Sequence, residues 1–314
     1  MIKQNISLSD YSNYKIGGPA LYFLEVSSKE ELLEGLKEWE NTSRNLSENA
    51  KKIFILGGGT NILFSDKGFE GLVIKNSIAG INKTDEKVEA GAGVELSKLN
   101  DFCIENSLSG LEWSGGLPGT VGGAIRGNAG AFNGETKDNI EEVTSLNLKT
   151  LAVIKRNNKE CNFSYRNSIF KEEAKDEIIL SALFVFQNKT REEVKKKTDE
   201  KIEYRKNKHP LEFPNIGSIF KNVPVESFSK ESQSELTQYI KNDPFPVIPA
   251  AKLIFLAGLK GERVGDVEVS QKHTNFIVNL GRGRAEDVNK LMEIIRKEIE
   301  NKFGVFLEEE IMYV

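Results

Sequence analysis

Two glycine-rich stretches, one arginine, one serine and a run of three glutamates are the residues of this chain best suited to chemistry. Residues 115 to 134, GGLPGTVGGAIRGNAGAFNG, hold eight of the 27 glycines. A core element would not carry so many, because glycine costs backbone entropy and offers no side chain to pack. It is useful where backbone must approach a flat or charged group, since successive N–H groups then form a concave nest for phosphate oxygens. Pro118 stiffens the turn and Thr120 adds a hydroxyl. A flexible linker is the plainer alternative. Linkers pair glycine with serine and charge, whereas here glycine is interleaved with Leu, Val, Ala, Ile and Phe. IFILGGGTNILF, residues 53 to 64, repeats the theme: a short apolar strand runs straight into three glycines. It has neither the Lys-Ser or Lys-Thr of a P-loop nor the spacing of GxGxxG. Alone it reads equally well as a tight structural turn. Paired with the longer stretch, it offers a second turn for the second phosphate of a dinucleotide.

Three shorter segments stand out. Tyr165-Arg166 lies in a strand-like run ending in Ile169-Phe170. An arginine there is usually a snorkelling surface residue; the alternative is a planar fork held for a carboxylate. Ser218 sits in GSIFKN, with no GxSxG elbow and no evident histidine base. Nucleophilic catalysis is therefore weak, and donation of a hydrogen bond or a proton remains open. In a strand, Glu308 and Glu310 share one face and Glu309 takes the other. A glutamate pointing inward is costly unless paired or used.

The elements that must position these groups are readable in outline. At 314 residues the chain holds about two domains or three small ones. Apolar content of 39% and charged content of 29% indicate a globular protein with a real core. A net charge of −4 gives no general attraction to nucleic acid or anionic lipid. No apolar run suits a membrane span, and the N-terminus lacks a signal-peptide block. Cys103 and Cys161 lie far apart and outside any CxxC pair, so they read as reduced packing residues of a cytoplasmic protein. His209 and His273 are too few for a usual zinc site, and no metal is expected.

LYFLEV reads as a strand, and Ser28 with Glu31 has capping-box spacing ahead of an amphipathic helix bearing Leu32, Leu36 and Trp39. LVIK and KVEAGAG read as strands, and Leu96, Leu99, Phe102 and Cys103 mark a helix with one buried face. VTSLNLKTLAVI, FSYRNSIF and IILSALFVF add strand. Residues 189 to 208 are mostly charged and read as a solvated connecting helix, at which the domain boundary is placed. Beyond it come a helix around PAAKLIFLAG, the strand NFIVNLG, a helix carrying Val288, Leu291, Met292, Ile295 and Ile299 on one face, and a final strand VFLEEEIMYV. The class is α+β.

Spacing does not connect the candidate residues. The ordered set NYKIGGPA, LGGGTNILFSD, GGLPGTVGGAIRGNAGAFNGE, SYRNSIFK, GSIFKN, AGLKGERVGDVEVSQKHTNFIVN and FGVFLEEEI resembles the UDP-N-acetylenolpyruvoylglucosamine reductase family of peptidoglycan precursor synthesis, from about residue 10 to 312. The resemblance implies a bipartite FAD-binding fold of the vanillyl-alcohol-oxidase (PCMH) type plus a C-terminal α+β substrate-binding domain. The implied divisions are 1–77, 78–187 and 188–314. The short interval between SYRNS and RKNKHP resembles the family architecture without an inserted tyrosine-bearing loop. FAD would be cradled by Gly57, Gly58, Gly59, Thr60, Asn61, Gly115, Gly116, Pro118, Gly119, Thr120, Gly122 and Gly123, with Asn128 and Gly130 along the flavin.

The implied reaction reduces an enolpyruvyl ether to a lactyl ether with NADPH as hydride donor, NADPH and the UDP-sugar using one pocket in turn. Arg166 would polarise the enolate through the carboxylate, Ser218 would deliver the proton, and Glu310 would assist as an acid, a neutral form that needs a raised pKa of the kind burial can provide. Tyr165, Lys208, Asn222 and Glu268 would bind the substrate. Arg126, Asp266 and Val223 depart from the residues frequent in the family and touch none of the catalytic three. An oxygen-using FAD oxidase of the same fold, or a non-catalytic nucleotide-binding protein, are the rival readings. A monomer is the expected state.

Overall fold

The computed structural model describes residues 1–314, which form two compact units. One comprises Met1–Ile6, Ala20–Gly58 and Glu70–Arg205; the other comprises Ser7–Pro19, Gly59–Phe69 and Lys206–Val314.

The first unit contains two sheets. A four-stranded sheet runs in the order Lys3–Ser7, Pro19–Val26, Phe69–Asn76, Ile53–Leu56, the last two strands being parallel with Ile53 opposite Leu72. Helix α1, Lys29–Ser43, covers it with Leu32, Leu36 and Trp39 buried. The Ser28 side chain accepts from the Glu31 N–H at 3.1 Å, and the Glu31 carboxylate accepts from the Ser27 N–H at 2.7 Å. Both charge and cap favour the helix start at that point.

The second sheet is antiparallel, in the order Val153–Asn157, Ile140–Asn147, Glu177–Val185, Lys87–Gly91, Ile81–Thr84. Helices α2, Leu96–Glu105, and α3, Val121–Gly127, bury Leu99, Cys103, Val121 and Ile125 in one cluster with Val88, Ile179 and Phe184. Cys103 and Cys161 are free and buried, and burial raises both thiols, that of Cys103 to about 12. They pack and do not react.

Helix α4, Arg191–Lys208, is not merely solvated. Val194, Thr198 and Arg205 are buried. The Arg205 guanidinium donates to the Gly115 carbonyl and, at 3.2 Å, to that of Trp113. Phe132 lies 5.0 Å from the guanidinium. One apolar-faced turn and one arginine thus dock a largely charged helix, which its mean composition conceals. FSYRNSIF is likewise not strand. Ser164 and Asn167 exchange backbone hydrogen bonds at 3.1 Å across a tight turn, and Arg166 takes φ +56° within it.

The other unit gathers α5, Lys230–Leu236, α6, Ala250–Leu256, and α7, Ala285–Phe303, with two three-stranded sheets. All five α7 residues expected on one face, Val288, Leu291, Met292, Ile295 and Ile299, are buried, and Gly304 closes the helix at φ +67°. Tyr14, Ile16 and Leu63 from the N-terminal segments enter this same core. Asn279, also buried, donates to the Tyr14 carbonyl at 2.9 Å and accepts from the N–H groups of Gly281 and Gly283.

Asp66 accepts from the first amides of α7, Ala285 at 3.0 Å and Glu286 at 3.1 Å. Asp66→Ala is expected to lower stability by about 1–2 kcal/mol, read as a fall in the urea midpoint at unchanged slope. The expected final strand shrinks to Met312–Tyr313, parallel to Ile62–Leu63, plus one bridge between Glu309 and Phe220. Residues 308–310 instead bond to 219–221: Lys221 N–H to the Glu308 carbonyl at 2.9 Å, and Glu310 N–H to that of Ile219 at 2.8 Å. No helix is long and apolar enough to cross a membrane.

Candidate active site

The glycines of the two rich stretches divide by what surrounds them. At Gly59, φ is +64° and a Cβ would collide with the Tyr11 carbonyl oxygen, so only glycine fits. At Gly115 a Cβ would stand 2.6 Å from the Thr198 carbonyl, and at Gly122 it would stand 3.0 Å from the Ala92 Cβ. At Gly130 it would meet the Gly134 carbonyl at 2.8 Å. These three serve internal packing. So does Gly134, where a Cβ would meet the Trp113 ring at 2.5 Å, whereas Gly57, Gly123 and Gly127 look outward. A Cβ on Gly57 would stand 2.8 Å from the Thr120 hydroxyl, so the two stretches face one another across a gap that a side chain would fill. On α3, a Cβ at Gly123 meets only that hydroxyl, at 3.5 Å, and at Gly127 it meets nothing within 4 Å. Bare backbone and one hydroxyl thus line an open strip, a surface suited to a large planar and phosphate-bearing cofactor.

Two residues brace the strip without having drawn notice in the sequence. The Lys75 ammonium, which burial holds below its ordinary range, donates to the Gly57 carbonyl at 2.7 Å. Arg205 holds Trp113 and Gly115 as described. Asn128 is fully buried at φ +40°, and its side chain donates to the Ser164 carbonyl at 2.9 Å and accepts from the Lys137 N–H at 3.1 Å. It therefore fixes the base of the turn that carries Tyr165 and Arg166. Arg166 donates to the Gly130 carbonyl at 2.8 Å and lies 5.0 Å from the Tyr165 ring centre. A positive φ at arginine is uncommon and persists where surroundings impose it.

In the other unit, Ser218 lines a polar cavity of about 180 Å³ with Asn222, Lys241, Asp243, Pro249, Ala251, His273 and Asn275. Asn275 pins the serine's segment: its carbonyl accepts from Ile219, its Oδ1 from Phe220, and its Nδ2 donates to the Phe220 carbonyl at 2.8 Å. The bond from Glu310 N–H to Ile219 then seats Glu310 beside the residue after Ser218. The three glutamates part company. Glu308 is exposed and paired with Lys221 at 2.8 Å, while Glu309 is taken by Arg296 and the Tyr313 hydroxyl. Glu310 is half-buried, and its carbonyl accepts from the Asn61 side chain at 3.0 Å. Asn61 thereby ties the first glycine turn to Glu310.

Of the expected substrate residues, Asn222 lines the Ser218 cavity and accepts from the Ala250 N–H at 3.2 Å. Lys208 is exposed at the end of α4. Glu268 lies in the strand Val267–Val269, bonded to Gln271 at 3.2 Å, and is not part of that cavity wall.

A family model of the FAD binding domain matches residues 33–150, and with the open glycine strip this defines the chain as an FAD-dependent oxidoreductase. The model of the C-terminal domain of UDP-N-acetylenolpyruvoylglucosamine reductase matches residues 209–314. Proteins of that name are similar over the full length: 36% identity to the one from Clostridium novyi, covering 100% of this chain and 92% of that one, and 38% to that from Caldanaerobacter subterraneus, covering 99% and 92%. The crystal structure of the UDP-N-acetylenolpyruvylglucosamine reductase from Thermus caldophilus is similar at a TM-score of 0.74 and 29% identity, covering 100% of this chain and 98% of that one. The chain belongs to the UDP-N-acetylenolpyruvoylglucosamine reductase family.

Proposed function

We propose that this chain reduces UDP-N-acetylenolpyruvoylglucosamine to UDP-N-acetylmuramate with NADPH, in peptidoglycan precursor synthesis, as a cytoplasmic monomer. Family membership supports the reaction, and the observation that carries the chemistry is the cavity bearing Ser218, with Glu310 bonded to the neighbouring residue.

FAD, when bound, supplies the hydride that NADPH loads onto it. Gly57, Gly58, Gly59, Thr60, Asn61, Gly115, Gly116, Pro118, Gly119, Thr120, Gly122, Gly123, Asn128 and Gly130 would hold it. For Gly57, Thr120 and Gly123 the support is the open strip; Asn61, Asn128, Gly115, Gly122 and Gly130 would act by shaping the backbone. The reading of 1–77 and 78–187 as paired FAD subdomains draws support from the two sheets, whose strands come from 3–76 and from 81–185. The span 188–314 would then be the substrate domain, although its first residues, through Arg205 of α4, pack within the first compact unit.

Arg166 binds the substrate carboxylate and stabilises charge as the enolate develops. Glu310 hydrogen-bonds the same carboxyl region as an acid. Ser218 gives its proton to the carbon, a transfer that requires a strongly basic acceptor because a serine hydroxyl is a weak acid. Tyr165, Lys208, Asn222 and Glu268 bind the nucleotide and sugar.

The test is the visible spectrum of the purified protein without oxygen. NADPH is expected to bleach a yellow protein, and the enolpyruvyl sugar nucleotide to restore the colour. Recolouring by oxygen alone, with no effect of the sugar nucleotide, would assign an oxidase instead.

A further inference from the structure

Residues 223–249 fold back on the segment that carries Ser218. Val223, where the chain departs from the residue frequent in the family, is buried and pairs with Ile248. Ile248 ends the strand Pro246–Ile248, whose other neighbour is Lys241–Asn242, with Lys241 opposite Val247. Val247 and Ile248 are buried and anchor this hairpin. The register thereby brings Lys241 into the cavity wall that Ser218, Asn222, His273 and Asn275 also line.

The Lys241 side chain is exposed and enters no ion pair or side-chain hydrogen bond. Other lysines of the same unit are engaged, Lys221 with Glu308 and Lys272 with Glu212. The Lys241 charge reaches across the wall: burial chiefly, and that ammonium to a smaller degree, pull the His273 imidazole down to about 4. The histidine is therefore neutral at physiological pH, and Lys241 is the cation of this cavity. Asp243, two positions on, is the other charged group of the wall, so an anion is favoured on the Lys241 side alone. Lys208, the lysine that the family resemblance implies for the substrate, is exposed at the end of α4 and is not part of this wall. An ammonium is a compact charge with three rotatable donors and suits phosphate oxygens, whereas the planar fork of Arg166 suits a carboxylate. At about 180 Å³ the cavity has room for several water molecules, and so for a phosphate group.

We infer that Lys241 is a further substrate-binding residue of the Ser218 cavity, its ammonium pairing with the diphosphate of the nucleotide sugar. The inference rests on the reductase reading for the identity of that ligand. It places the diphosphate on the hairpin 241–248 and leaves the carboxylate to Arg166.

The experiment uses the oxidised holoenzyme and two variants, and reads by calorimetry the Kd for UDP and for UDP-N-acetylenolpyruvoylglucosamine, with thermal unfolding and flavin content alongside. Lys241→Met keeps an unbranched stem and removes the charge; Lys241→Arg keeps the charge. The Met variant is expected to raise both Kd values about tenfold at unchanged unfolding temperature, and the Arg variant to retain most of the affinity. Absence of UDP binding by the wild type, or unchanged Kd values in the Met variant, overturns the inference. A loss for the enolpyruvyl compound with UDP unaffected would assign the ammonium to the carboxylate, and a loss of bound FAD with UDP unaffected would assign it to the cofactor; either overturns it. So does an equal loss in both variants with a lower unfolding temperature, which marks a structural residue. Should the Met variant not fold, Lys241→Gln takes its place with the same readings. If UDP binding responds as expected while the wild type fails to turn over the enolpyruvyl compound, the reductase reading alone is defeated.

Discussion

Ser218→Ala should leave the protein yellow and bleachable by NADPH while lowering turnover of the enolpyruvyl substrate about a thousand-fold, the range that loss of a general acid produces. The separation of half-reactions is the point. Only reoxidation by the sugar nucleotide needs a proton at carbon, so only that half slows. The substitution removes one half-buried hydroxyl at a cavity wall, and the segment's backbone bonds to Asn275 and Glu310 do not involve the side chain. Folding therefore stays intact and the loss is kinetic. Stopped-flow absorbance of the two half-reactions, measured separately, gives the answer. Equal slowing of both would assign Ser218 to cofactor placement, and unchanged turnover would remove it as the proton donor.

The second large effect is expected at Arg166. Arg166→Ala should lower kcat/KM for the enolpyruvyl substrate by about a hundred-fold or more, as loss of a donor to a developing oxyanion does. Arg166→Lys should recover little of it, because an ammonium cannot reproduce the two-pronged grip of guanidinium on carboxylate. The stability cost should be far smaller. The side chain's bond to the Gly130 carbonyl is worth about 1 kcal/mol, and Asn128 continues to hold the turn through Ser164. If Lys restored activity fully, charge alone would suffice, and the left-handed backbone at Arg166 would have no bearing on carboxylate geometry.

Local regularities were legible in the sequence. The stripe of α7 and the cap of α1 rest on spacings of three and four residues, and the helix period converts these directly into faces. The two glycine stretches announced close backbone approach, yet spacing could not tell which glycines accommodate the protein's own backbone. Gly115 meets Thr198, 83 positions on, a partner that no local pattern encodes. Arg205 was hidden for the same reason: its acceptors are carbonyls 90 and 92 residues away, and a charged helix gives no sign of them. The turn at 164–167 reads as strand from the Tyr, Ile and Phe around it, whereas reciprocal Ser164–Asn167 bonds close it, Arg166 takes a positive φ within it and Asn128 holds the Ser164 carbonyl. Among the three glutamates, the choice of Glu310 rested on motif resemblance. The structure adds that Lys221 and Arg296 already engage Glu308 and Glu309.

The second unit's membership carries a consequence for how the molecule is made. Tyr14 and Ile16 emerge from the ribosome well before Asn279, which binds the Tyr14 carbonyl and follows 265 residues later. Ile62–Leu63 waits similarly for Met312–Tyr313, 250 residues on. Such remote pairings close slowly and late. During translation this half of the molecule must remain unfinished, with apolar surface uncovered, until residues 312–313 have been made. A nascent chain interrupted before residue 312 would thus be a substrate for chaperones and proteases, and a shortened gene product encoding only the last hundred residues would lack the wall against which its own core is built.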